Sequence, residues 1–426
     1  MLLRFRVANV RSLRDEQELN FVVPPDEEPG PAARHITLSD GQTIAVHPLI
    51  GIFGANASGK SNVLAALAQM RHAVINSYTA WSSYRGLPRQ VFALDDEAQD
   101  EPSFFEVDFV LPDGVRWTYG FELGAHRVEA EWLNSYPSGR RRRWLDRDAS
   151  RPEEFQFPGD RLKDQALLRR TTRPDTLLLT RAAADNHPQL SEIHRWFERN
   201  FWLINPEDQR QSRAAFTTKQ LEGPRRARIA ELLRVADLGI AGVLVDRDQN
   251  VRLLHQASDV QAEPRPLDWE HESYGTRSWY ALLGPVLLVL DEGAVLLVDE
   301  IDASLHPRFA AEIVRLFHDP LANPNDAQLV FTSHDPSILS TPGGGRLLSP
   351  GQIWLTEKDR RGATELYPLS AFEPSEGEDL SRSYLTGAFG GVPNLTAGRI
   401  ARRIISVHSA EQNEREAVDQ RGVGQR

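Results

Sequence analysis

Eight residues, Gly54-Ala55-Asn56-Ala57-Ser58-Gly59-Lys60-Ser61, constrain this chain more than any other stretch. They follow the pattern Gly, four residues, Gly-Lys-Ser. A loop of this kind gathers backbone N–H groups at the start of a helix, where they point at dense negative charge. Gly54 and Gly59 lack a Cβ, so the backbone can turn tightly and approach a phosphate chain. In such a loop Lys60 is expected to reach the β- and γ-phosphates, and the Ser61 hydroxyl to be a ligand for Mg²⁺. The flanks fit. Leu49-Ile50-Gly51-Ile52-Phe53 reads as a short buried strand. Ser61 to Met70 reads as a helix with Val63, Leu64, Leu67 and Met70 on one face. The expectation is an α/β fold that binds ATP and Mg²⁺ where a strand gives way to a helix.

Composition narrows the surroundings of that loop. The net charge of −11 argues against general polyanion binding, so any nucleic-acid contact needs a local basic face. Cysteine is absent, which removes disulfides, thiolate metal sites and thiol nucleophiles. No N-terminal apolar run resembles a signal peptide, and no stretch of roughly 18 or more apolar residues is present to span a membrane. A cytoplasmic protein with no membrane partner is expected.

Before the loop, Leu2 to Val10 and Glu18 to Val23 read as strands, Pro24 to Arg34 as an exposed loop, and Ile36 to Thr43 as a hairpin turning at Asp40-Gly41. After the loop helix, Phe104–Leu111, Val115–Leu123 and Val128–Leu133 alternate with period two, and Asp113-Gly114 marks a tight turn. Glu106 and Asp108 alternate with Phe105, Val107 and Phe109, which predicts an antiparallel meander with one wet face. Arg140-Arg141-Arg142-Arg143, with Trp144 and Arg147, reads either as a phosphate contact with a stacking aromatic or as a solvated turn. From Asp160 to Leu238 the spacing predicts helices, chiefly Leu190 to Phe201 and Arg225 to Leu238, with no sustained heptads and so no coiled-coil arm. Gly242 to Leu254 predicts a hairpin turning at Asp248-Gln249-Asn250. Asp246 and Asp248 mark that turn better than they mark a metal site.

The second half of the site lies far along the chain. Ala294-Val295-Leu296-Leu297-Val298-Asp299-Glu300 is an apolar run ending in two carboxylates, as a central parallel strand would end at a ligand. Asp299 is expected to hold Mg²⁺ and Glu300 to polarise the attacking water. Gln328 to Ser333 predicts another buried strand, and it ends in His334, whose imidazole can donate to the γ-phosphate. Ser273-Tyr274-Gly275-Thr276 opens the helical run Arg277 to Leu290 and forms a second anion site at a helix N-terminus. Two phosphate sites in one chain suggest a sandwich, in which Ser273, Gly275 and Thr276 of one subunit cover nucleotide held by Gly54, Asn56, Ala57, Ser58, Gly59, Lys60, Ser61 and Asn62 of another.

In this order the motifs resemble an ATP-binding-cassette head of the RecF/SMC type. Gly54 to Ser61 matches Walker A, Ser273 to Thr276 the signature, Asp299-Glu300 Walker B, Asp302-Ala303-Ser304-Leu305-His306-Pro307 the D-loop, and His334 the switch histidine. Together with Gln352-Ile353-Trp354, Glu357-Lys358 and Gly387-Ala388-Phe389-Gly390, they are similar to bacterial stand-alone AAA/ABC-like ATPases of the abortive-infection and RloA type. The likeness implies a P-loop NTPase with a mixed central sheet, an antiparallel β-subdomain and a helical insertion. It implies D-loop roles for Asp302 and Ser304, and Gln90 is the nearest candidate for a Q-loop glutamine. Five segments are expected: 1–75 with Walker A, 76–150 the β-subdomain, 151–240 the helical insertion, 241–370 the lobe with signature, Walker B and histidine, and 371–426 a C-terminal segment with a disordered tail. The resemblance further implies anti-phage defence as a self-associating ATPase with a separately encoded effector nuclease of the Toprim/RloB kind. The alternative is a RecF-like DNA-binding ATPase in DNA repair, with Arg140 to Arg143 on phosphates.

Overall fold

Apolar runs with hardly any polar side chain form the middle of one sheet. In the computed structural model, which describes residues 1–204, 210–236, 239–247, 250–257, 262–303, 305–340, 345–393 and 398–407, the strands Phe201–Ile204, Val295–Val298, Gln328–Ser333, Leu49–Gly54, Ile353–Lys358 and Thr364–Pro368 lie side by side in that order. The first five run parallel and the last is antiparallel. Leu49–Gly54, Val295–Val298 and Gln328–Ser333 are buried along their whole length, as strands covered on both faces must be. Gly51 is required among them, because a Cβ there would meet the Phe331 ring at 2.6 Å. The acidic strand and the loop strand are not neighbours. The strand ending in His334 sits between them, so the carboxyl ends of three parallel strands open onto one place.

The chain divides into two units, residues 1–391 and 392–426. In the second, a helix covers 399–407 with its side chains exposed. The tail expected to be disordered lies outside the described residues. The sheets belong to the first unit.

A seven-stranded antiparallel sheet carries Phe155–Gln156, Arg142–Asp148, Val128–Ser135, Arg116–Leu123, Ser103–Val110, Leu2–Ala8 and Gln17–Asn20 in spatial order. The expected wet face needs correction. Glu106 and Asp108 are each only 8% exposed, because the N-terminal strand pairs Arg6 with Glu106 and Arg4 with Asp108. Arg6 NH1 lies 2.7 Å from Glu106 Oε1, and Arg4 NH2 lies 2.8 Å from Asp108 Oδ2. The arginine stems cover the carboxylates that they neutralise. Gln328 joins this sheet to the central one. Its amide completes both backbone hydrogen bonds of Leu2, at 2.6 and 2.9 Å.

The helical stretch holds helices Gln165–Thr171, Leu178–Ala184, Ser191–Asn200, Arg210–Gln220 and Arg226–Val235. One part departs from the helical reading, since Phe201–Ile204 is an edge strand of the central sheet. An aromatic and branched tetrapeptide after Asn200 is too short to show its period, and pairing with Val295–Val298 decides its conformation. The hairpin is present as Ile240–Val245 and Val251–His255. Asp248 and Gln249 of its turn lie outside the described residues, and Asp246 accepts from the Asn250 backbone at 2.9 Å, as a turn residue does. Helix Tyr274–Glu292 contains Pro285. Proline leaves the Ala281 carbonyl without its usual donor, and the Thr217 hydroxyl approaches that carbonyl at 3.5 Å from the neighbouring helix. The architecture is an α/β fold with a mixed central sheet and a separate antiparallel sheet.

Candidate functional site

The loop leaves Leu49–Gly54 and enters helix Lys60–Asn76, with Gly59 as its N-cap at φ +110°. Ala57 is also left-handed, at φ +64°. A Cβ on Gly59 would collide with Thr364 Oγ1, and one on Gly54 with Thr356 Oγ1, so the backbone lies directly on those hydroxyls. The hydroxyls form a ladder behind the loop. Ser58 Oγ is 2.6 Å from Thr356 Oγ1, Thr364 Oγ1 donates to the Ser58 carbonyl at 2.8 Å, and Ser12 Oγ is 2.7 Å from Thr364 Oγ1. Asn62 Nδ2 donates to Ser12 Oγ at 2.6 Å. In front, Asn56, Ala57 and Ser61 are exposed. The loop is therefore fixed from behind and open to a ligand.

Lys60 is buried, and its Nζ donates to the carbonyls of Gly54 at 2.8 Å and Ala55 at 3.1 Å. Burial pushes its ammonium below the ordinary lysine value, while the charges of Glu300, Asp302 and Asp299 pull the other way.

The carboxylates meet the loop where the strand order places them. Ser61 Oγ donates to Asp299 Oδ1 at 2.9 Å. Thr332, one strand over, donates to the same oxygen at 2.6 Å and accepts the Glu300 N–H at 2.7 Å. Glu300 is left-handed at φ +48°, so the chain turns sharply as it leaves the strand. His334 Nδ1 lies 3.1 Å from Asp302 Oδ2. Among the described residues no group of three or more His, Asp or Glu is arranged to hold a metal by itself. A hydroxyl and a carboxylate oxygen 2.9 Å apart are hard donors that suit a magnesium ion sharing its other positions with phosphate and water.

Gly54, Asn56, Ala57, Ser58, Gly59, Lys60, Ser61, Asn62, Asp299, Glu300, Asp302 and His334 thus belong to one locality. Ser273, Gly275 and Thr276 head a different helix. Ser273 is its N-cap and accepts from the Thr276 N–H at 3.0 Å, while Glu272 before it is buried against His255 at 2.7 Å. Ser304 lies outside the described residues. Gln90 touches Arg11, whose Nε donates to Gln90 Oε1 at 2.6 Å and whose NH1 reaches Asn62 Oδ1 at 3.4 Å.

Sequence reading did not find Ser12, Thr332, Thr356 and Thr364. Hydroxyls inside strands carry no signature of their own, although Thr332 and Thr356 stand within or beside the motifs quoted. Gly387 to Gly390 gain a location. Tyr384, in helix Leu380–Leu385, donates to the Gly391 carbonyl at 3.1 Å. Burial pushes its hydroxyl up to about 12 against the opposing effect of a hydrogen bond with the Gly54 backbone. Arg147 does not belong to the basic patch. It is fully buried between Glu154 at 2.6 Å and Glu131 at 3.6 Å.

The family described as "AAA domain, putative AbiEii toxin, Type IV TA system" matches residues 49–340. No curated protein matches the chain in sequence. Solved structures similar to it include the SMC head domain from Thermotoga maritima, at 12% identity and TM-score 0.39, covering 86% of this chain and 98% of that one. An SmcHead bound to the C-winged helix domain of ScpA has 12% identity and TM-score 0.41, covering 88% and 99%. The cbiO1 protein of Clostridium perfringens, part of the ABC transporter complex cbiONQ, has 10% identity and TM-score 0.29, covering 87% and 90%. Among the described residues no helix is long and apolar enough to cross a membrane.

Proposed function

The chain belongs to the AAA-domain family of the AbiEii type matched over residues 49–340, and from that premise we propose that it is a cytoplasmic ATPase which closes two heads around ATP and works in bacterial anti-phage defence. The observation that carries the reading is the junction of Ser61, Asp299, Thr332 and Glu300 at the mouth of the P-loop. The loop N–H groups and Lys60 bind the phosphate chain, with Lys60 giving up the two loop carbonyls that it holds. Ser61 and Asp299 hold magnesium, which neutralises charge across the phosphate oxygens. Glu300 accepts the proton of the attacking water, and His334 donates to the terminal phosphate. Because Ser273, Gly275 and Thr276 cap a separate helix, their place in the reading is opposite the P-loop of a second copy. Phosphoryl transfer depends mostly on positioning and charge, so separating the copies silences it. The family description as a toxin of a type IV system supports a defence setting, in which closure controls a separately encoded nuclease.

The test is molar mass by light scattering on Glu300→Gln, with Mg²⁺-ATP and without nucleotide, beside steady-state phosphate release. The expected outcome is an ATP-dependent rise in mass and a loss of turnover of about 100-fold or more, while Lys60→Ala shows neither nucleotide binding nor a mass change. A monomer at every nucleotide concentration removes the shared site. Turnover at the parent's rate removes Glu300 as the base.

A further inference from the structure

Asp302 follows strand Val295–Val298, His334 follows strand Gln328–Ser333, and the two meet in one chain. Their contact is 3.1 Å, from His334 Nδ1 to Asp302 Oδ2. The two partners differ sharply in exposure, 56% for the His334 side chain and 5% for Asp302. The second carboxylate oxygen, Oδ1, is buried and has no hydrogen-bond partner among the described residues. A buried carboxylate with one bare oxygen costs stability, and a D-loop residue whose role lay only with another copy has no need of that burial.

The backbone around the pair is stitched across the two strands. The Ile301 N–H donates to the Thr332 carbonyl at 3.0 Å, and the Ala303 N–H to the Glu300 carbonyl at 2.8 Å. The aspartate is thus carried on a turn tied to the very strand that ends in the histidine. A half-exposed imidazole with no partner samples several rotamers, and its two nitrogens sit on opposite edges of the ring. One fixed acceptor at Nδ1 selects a single orientation and leaves Nε2 facing away from the carboxylate.

We propose that Asp302 is a positioning residue for ATP hydrolysis, acting within its own subunit by holding His334 through Nδ1 so that Nε2 is presented to the terminal phosphate. The proposal rests on the ATPase reading of this site. In this role Asp302 acts only through the ring, in the way that a buried carboxylate orients a working histidine in other hydrolases.

Two measurements on the full chain test it. The first needs no nucleotide. Imidazole ¹H–¹⁵N correlation spectra of histidine-labelled protein identify His334 by the signal lost in His334→Gln. In the parent, an Nδ1–H resonance sheltered from exchange with water is expected, and it should disappear in Asp302→Ala. An unchanged His334 signal in Asp302→Ala overturns the pairing. The second is ATP turnover with ATP binding measured separately. Asp302→Ala should lower kcat by about 10- to 100-fold with ATP affinity within about twofold. The double variant Asp302→Ala/His334→Gln should be no slower than His334→Gln, because residues acting as a unit are non-additive. Multiplied losses in the double variant overturn the proposal. Asp302→Leu, which keeps much of the side-chain volume and offers no acceptor, replaces Asp302→Ala in both measurements if alanine prevents folding. A parent without ATP turnover removes the ATPase reading and with it the proposal, whereas the imidazole spectra still decide the pairing.

Discussion

The Ser61 hydroxyl donates to Asp299 across 2.9 Å although 238 positions separate the two residues. Each supplies one oxygen to the same point, which is where magnesium would sit. Ser61→Ala should weaken Mg²⁺-dependent ATP binding about tenfold, the equivalent of one lost oxygen contact. Nucleotide binding in the presence of a chelator should stay within about twofold of the parent. Titration calorimetry with and without chelator separates the two. Equal loss under both conditions places the hydroxyl on the phosphates instead.

Gly59→Ala faces two independent obstacles, a backbone at φ +110° and the Thr364 hydroxyl where the Cβ would go. A strained backbone alone costs about 1–3 kcal/mol. Urea unfolding should therefore show Gly59→Ala destabilised by at least that much. Adding Thr364→Ala should recover only the part that comes from the collision. Full recovery in the double variant would mean that the backbone carries no strain.

The buried pair within the seven-stranded sheet has a different sensitivity. Arg147 and Glu131 side chains are both 0% exposed. Glu131 also accepts the N–H groups of Leu178 and Leu179, at 2.7 and 3.0 Å, and so pins the start of a helix. Burial pushes the Glu131 carboxyl up, and the Arg147 charge opposes that shift. Arg147→Met strands the carboxylate, so a loss of about 3–5 kcal/mol is expected in urea unfolding. Glu131→Gln, which keeps acceptors for the helix, should cost less.

Acid should act on two histidines near the amino ends of the central strands Leu49–Gly54 and Ile353–Lys358. Burial, with the charge of His318 adding to it, holds His47 at about 4. Burial, with Arg34 adding to it, holds His318 at about 4 against the opposing hydrogen bond from Gln352. Both are neutral when folded, while the unfolded chain takes up protons near 6.5. Stability is therefore fully present above about 6.5 and falls as pH drops toward 4. For His47 the loss is on the order of 3 kcal/mol across that window. Thermal unfolding at pH 7 and pH 5 should show a smaller drop in Tm for His47→Gln than for the parent. An equal drop assigns the acid sensitivity to other groups.

Residues whose chemistry is unusual for their setting were legible from sequence. A lysine after two glycines, two carboxylates closing an apolar run, and a histidine ending another each stand out locally, and all are found together. What was missed depends on partners distant along the chain. Glu106 and Asp108 look solvated until Arg4 and Arg6 arrive about a hundred positions earlier in sequence. Phe201–Ile204 is a strand only because Val295–Val298 offers it an edge. Ser12, Thr356 and Thr364 are ordinary hydroxyl residues, and only the folded chain stacks them behind the loop.

Thr332 gives its proton to Asp299 and receives the backbone proton of Glu300. One side-chain oxygen thus holds the carboxylate of Asp299 and the backbone that carries Glu300. In the ATPase reading, grip on the metal and attack by water cannot be tuned separately at this point. A change that swings one acid swings its neighbour, so the pair keeps time as a single part at the expense of independent adjustment.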